Sequence, residues 1–169
     1  MSSVLPFEII DQVIDIVGDN NDTNLLKELA LVSHSFHQIC SKHLFATVDL
    51  HDDSPIYDSE RKYVASSKKG FVKLVERRPN IVKYIRKLTY KVSGDNNDDD
   101  HLLSPIILSK FLPTISRLNC LAITASDSEF DWNTLDFFLT SALLYLMHLP
   151  TINHIDLSDI QNFPLSSLV

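Results

Sequence analysis

Glycine is scarce in this chain: three residues in 169, alongside one tryptophan, two methionines and two cysteines. A glycine-rich phosphate cradle is therefore excluded, and no G-x-G-x-x-G, P-loop, G-x-S-x-G or H-E-x-x-H run occurs. Cys40 and Cys120 lie far apart and form no C-x-x-C. That speaks against a disulfide framework or a cysteine zinc site, and for a reducing compartment, cytoplasmic or nuclear. Long apolar runs are missing too. The most apolar window, Phe137 to Met147, falls short of the roughly 18 residues of a membrane span and reads as a buried helix. Glu8, Asp11 and Asp15 interrupt the apolar N-terminal stretch, so no signal peptide is expected.

Negative charge dominates, with a net of −7, but not evenly. Between Arg61 and Lys91 stand 11 of the 15 basic residues and one acid, Glu76, a net of +10; the remainder, with 4 basic and 21 acidic residues, carries −17. Lys73, Arg77, Arg78, Lys83, Arg86 and Lys87 are the candidate partner-binding residues of that segment, suited to an acidic partner or phosphate. The same charges also suit the solvated face of one helix and its turns. No aromatic residues interleave with them at the spacing that nucleic-acid binding uses, which argues against nucleic acid. At 44% hydrophobic and 22% charged, the chain has the composition of a globular protein.

What is present is periodicity. In LPFEIIDQVIDIV, at about 100° per residue, Phe7, Ile9, Ile10, Val13, Ile14, Ile16 and Val17 fill an arc of roughly 180°. That is wider than the stripe of about 100° from which core-facing helices start. Pro6 suits the first helical turn and Gly18 its end. Asp22, Thr23 or Asn24 caps a second helix that ends near Val32. Ser35 and Gln38 form a capping box for a third, with Phe36, Ile39, Cys40, His43 and Leu44 on one face. A short β-rich run to Leu50 follows, then a polar insertion, His51 to about Ser66. Asn133 is the expected cap of a long helix from Thr134 to about His148.

From residue 67 onward one grammar repeats. An apolar helix ends at a proline: Pro79, Pro113 and Pro150. Two residues later comes an isoleucine: Ile81, Ile115 and Ile152. A strand with apolar residues spaced h-x-x-h-x-h follows: Ile85, Leu88, Tyr90; Leu118, Leu121, Ile123; Ile152, Ile155, Leu157. Phe45, Val48 and Leu50 form a fourth, earlier copy. The spacing resembles the strand half of a leucine-rich repeat. Stacked helix–strand units bury faces that none can bury alone. The expected fold is α/β: an N-terminal three-helix module, then a short right-handed solenoid with parallel strands inside and helices outside. Residues 159–169 read as the start of another unit, which suggests a truncated member of a longer architecture.

The first 45 residues resemble an F-box: Leu5-Pro6-Phe7-Glu8, an apolar helix, a leucine-rich second helix, then Val32-Ser33-His34-Ser35-Phe36 and the closing Leu44-Phe45. The chain looks like the F-box proteins with leucine-rich-repeat-like C-terminal regions found in mushroom-forming fungi. The resemblance divides it into an F-box (1–45), a first strand with polar insertion (46–66) and repeats (67–169). It implies a non-enzymatic substrate-recognition adaptor of a cullin–RING ubiquitin ligase, with no cofactor or metal. Leu5, Pro6, Ile9, Ile10, Val13, Leu31, Val32 and Phe36 would contact a Skp-type adaptor, which links to cullin, and the repeats would hold a substrate protein. The alternative is a non-catalytic interaction scaffold whose F-box-like helices only cap the solenoid. Two metal readings are weaker. Asp95 to Asp99 begins like a calcium loop, but Asp100 and Ile106 stand where glycine and glutamate belong. His34, His37 and His43 lie close enough in sequence to face one ion.

Overall fold

The computed structural model describes residues 6–20, 22–51, 67–92, 103–125, 130–164 and 166. Three helices come first: α1 (Phe7–Asp19), α2 (Thr23–Ala30) and α3 (His34–Leu44). Each start has a physical cause. Pro6 sits just before α1, one position earlier than expected, and its carbonyl accepts from Ile9 and Ile10 N–H at 3.1 and 3.4 Å. Asp22 caps α2 through Leu25 N–H at 3.0 Å. At α3 the cap is Ser33, which accepts from Phe36 N–H at 3.3 Å, not Ser35. Ser33 takes the role because its backbone is extended, as an N-cap requires, whereas Ser35 already lies inside the helix.

Gly18 does not end α1. It lies inside the last turn, which runs to Asp19, and no glycine among the described residues has positive φ. Its reason is packing: a Cβ there would collide with the His43 imidazole of α3. That ring in turn reaches Asp15 Oδ1 at 2.8 Å. The three helices share a small core of Ile14, Leu26, Ile39 and Cys40.

The rest alternates helix and strand. β1 (Thr47–Leu50), β2 (Lys87–Val92), β3 (Cys120–Ala125) and β5 (His154–Ser158) form one parallel sheet in that order. Between them run α4 (Lys68–Arg77), α5 (Leu103–Phe111) and α6 (Phe137–Met147). The protein is thus mixed α/β with a four-stranded parallel sheet. Its register aligns the repeated apolar positions: Val48, Leu88, Leu121 and Ile155 make one row, and Leu50, Tyr90, Ile123 and Leu157 the next. Both rows face the helices in a continuous core that includes Phe71, Val75, Leu108, Leu112, Leu139, Leu143 and Leu146.

The proline grammar has a structural meaning. In each unit the isoleucine N–H donates to the carbonyl before the proline. The bonds are Ile81 to Arg78 at 3.1 Å, Ile115 to Leu112 at 3.0 Å and Ile152 to Leu149 at 3.0 Å. Proline thus occupies the second position of a tight turn, where its fixed φ is an asset. A second stitch also recurs. The carbonyl just ahead of each strand accepts two successive N–H groups from the next unit. Ala46 takes those of Arg86 and Lys87, Arg86 those of Asn119 and Cys120, and Asn119 those of Asn153 and His154.

Two further features depart from the sequence reading. Asp136, not Asn133, caps α6, accepting from Phe138 and Leu139 N–H at 2.9 and 3.2 Å. Trp132–Thr134 forms a separate 3-10 turn capped by Asp131. Past β5 the chain does not open another helix–strand unit within the described residues. β6 (Ile160–Gln161) pairs in parallel with β4 (Phe130–Asp131), a second, two-stranded sheet. Phe163 then packs edge-on against Trp132, with ring centroids 4.7 Å apart. The insertion (52–66) and the acidic loop holding Asp95 to Asp100 lie outside the described residues.

Candidate functional site

The broad apolar arc of α1 divides in two. Ile10, Ile14 and Val17, adjacent on the helical wheel, turn into the three-helix core. Ile9, Val13 and Ile16 occupy the neighbouring arc and stay exposed. Phe7 is exposed on the far side of the buried arc, and Leu25 at the start of α2 is exposed as well. Where α2 ends, Leu31 is 87% and Val32 66% exposed. Seven of the eleven large apolar side chains exposed among the described residues therefore lie on this small module. Scattered single apolar residues on a surface are ordinary; a concentration of this kind makes the module a candidate docking face.

Of the eight residues assigned to adaptor contact, Leu5 lies outside the described residues. Pro6, Ile9, Val13, Leu31 and Val32 are exposed, whereas Ile10 and Phe36 are half-buried against the internal core. Phe7, Ile16 and Leu25 are exposed apolar residues that the sequence reading did not assign to contact. For Ile16 the signal was present, since it shares a helical arc with Ile9 and Val13.

Among the described residues the six candidate basic side chains do not form one surface. Lys73 and Arg77 are exposed one turn apart on α4, away from the core. Arg78 Nη1 lies 3.1 Å from His37 Nε2 on α3. Arg86 is half-buried and donates to the Lys83 carbonyl at 3.1 Å, while Lys83 Nζ stands 5.0 Å over the Tyr84 ring. Lys87 begins β2 on the side of the sheet facing away from the helices. The positive charge is spread over both sides of the sheet.

That opposite side carries Thr47, Asp49, Lys87, Thr89, Lys91, Cys120, Ala122, Thr124, His154, Asp156 and Ser158. All but Ala122 are half-exposed or exposed. Wholly parallel sheets are usually covered on both faces, so this polar, accessible face is a second candidate surface.

The three histidines diverge. His34 meets Gln38 at 3.0 Å, His37 meets Arg78, and His43 meets Asp15. Among the described residues no group of three or more His, Cys, Asp or Glu side chains is placed to hold a metal ion. Burial pushes the Cys40 thiol above its ordinary range, a backbone hydrogen bond partly opposing the effect. Asp131 is held below the usual carboxylate range, first by the Asn133 backbone N–H and next by the Asn162 side chain. No described helix is long and apolar enough to cross a membrane.

No family model, no curated protein and no solved structure matches the chain. The functional reading therefore rests on the residues themselves. Two surfaces carry it: an apolar one on α1 and the α2 end, and a polar one on the sheet.

Proposed function

We propose that this chain is an F-box-type substrate-recognition subunit of a cullin–RING ubiquitin ligase. In this reading helices α1–α3 dock on a Skp-type adaptor, and the helix–strand units form a right-handed, leucine-rich-repeat-like solenoid that holds a substrate protein. The protein then acts by raising effective concentration and needs no catalytic group of its own. The observation that carries the proposal is the concentration of exposed apolar side chains on a module that already has its own core. Ile9, Val13 and Ile16 form one helical arc; Leu31 and Val32 add to it at the end of α2. The recurring turn, stitch and row register support the solenoid half of the reading.

The test is capture on a purified Skp-type adaptor. Wild-type chain binds, and an Ile9→Asp/Val13→Asp/Leu31→Asp triple variant loses binding while keeping its circular dichroism spectrum. Wild-type chain that never associates refutes the proposal. A second reading, in which the helices merely cap the repeats, is favoured by the Arg78–His37 contact and by Leu44, which packs on both cores. In that case the triple variant changes nothing.

A further inference from the structure

The two edges of the four-stranded sheet are finished differently. At the β1 edge Val48 is 1% and Leu50 0% exposed. The same two rows end at the opposite edge in Ile155 and Leu157, both half-exposed. Among the described residues β5 pairs with no strand on its outer side. α6, the helix that leads into β5, packs against α5 and, among the described residues, against no later helix. It exposes Phe137, Phe138 and Tyr145, which with Ser141 share an arc of about 100° opposite the buried Leu139, Leu143 and Leu146. An open strand edge is a template for another strand.

We propose that this end of the protein is a self-association surface, where β5 pairs antiparallel with β5 of a second copy about a two-fold axis at Ile155. Backbone geometry permits that axis. His154 N–H donates inward to Asn119, so alternation turns the N–H and C=O of Ile155 and Leu157 outward. Ile155 then exchanges two hydrogen bonds with the partner's Ile155, and its side chain meets its mate on the helix side of the sheet. Charge selects both the register and the occupant. His154 and Asp156, both exposed, flank Ile155 on the polar face. Pairing about Ile155 sets His154 opposite the partner's Asp156, and symmetry repeats the contact. These are non-hydrogen-bonded positions, where side chains approach closest. Moving the axis one residue along, to Asp156, shifts the register by two residues and would set two carboxylates face to face. A second copy supplies the complementary charge automatically, because an isologous surface matches itself. The axis stands perpendicular to the sheet. Both helix layers therefore stay on one face.

Sedimentation equilibrium of the full chain tests this. Wild-type protein is expected to dimerise in the micromolar range. His154→Asp sets carboxylates opposite each other twice and raises the dimer dissociation constant at least roughly tenfold. The swap His154→Asp/Asp156→His restores dimerisation. A wild-type monomer at high micromolar concentration overturns the proposal. So does a dimer that ignores His154→Asp, a swap that fails to rescue, or a dimer broken by Val13→Asp instead.

Discussion

Replace Leu26 and Leu31 by alanine, one at a time. The two leucines lie on α2 and at its end, and have opposite surroundings: Leu26 is 2% exposed and Leu31 87%. Leu26 joins Ile14, Ile39 and Cys40 in the core of the three-helix module. Truncation there removes buried methyl groups and leaves a cavity, at a cost of about 2–5 kcal/mol. Leu31 has few contacts to lose, so its truncation should stay within about 0.5 kcal/mol. Urea unfolding followed by far-ultraviolet circular dichroism measures both. Trp132, the single tryptophan, is buried far along the chain against Phe163 and gives an independent fluorescence signal from the repeat region. On an adaptor the order reverses. A leucine that becomes covered contributes about 1.5–3 kcal/mol, so Leu31→Ala should weaken binding by roughly 10- to 150-fold. A Leu31→Ala variant destabilised as much as Leu26→Ala would refute the division of this module into an inner core and an outer docking face.

Gly18→Ala should lower the unfolding midpoint even though alanine is the better helix former by about 1 kcal/mol, because the new Cβ displaces the His43 ring from Asp15. A raised midpoint would show that the ring moves aside freely. With a thiol reagent at neutral pH, native protein should label at half-exposed Cys120 and resist at Cys40, which is fully buried. Folding raises the Cys40 pKa, so its stabilising contribution is complete below the ordinary thiol range and is lost as pH rises through the raised folded value. In the Cys40→Ala variant that alkaline loss should shrink. Asp131 has the opposite sign: its folded pKa is depressed, so its contribution is complete above the usual carboxylate range and is lost as pH falls through the lowered value. Acid titration of Trp132 fluorescence should register that loss, and Asp131→Asn should remove its pH dependence.

The repeat was readable because two constraints coincide at the same residues. Proline restricts the turn, and period-two alternation restricts which side chains enter the core. Together they make Leu88, Leu121 and Ile155 equivalent in sequence and adjacent in register. Caps were less legible, since Ser33 and Ser35, or Asn133 and Asp136, offer similar chemistry and only the backbone angles choose between them. β4 and β6, two residues each, are too short to produce a pattern. The division of α1 was hidden for a different reason. Ile9, Ile10, Val13 and Ile14 are all branched and aliphatic, and only the positions of α2 and α3 decide which of them is covered.

The junction between α3 and β1 has a mechanical consequence. Phe45, buried, follows the helix directly; Ala46 is pinned by two N–H groups from β2, and Thr47 already begins the strand. No flexible tether intervenes. Whatever is seated on α1 and α2 is held at a set angle and reach from whatever lies on the sheet, like two jaws of a fixed caliper. Changing that reach would require adding or removing whole helix–strand units rather than lengthening a loop.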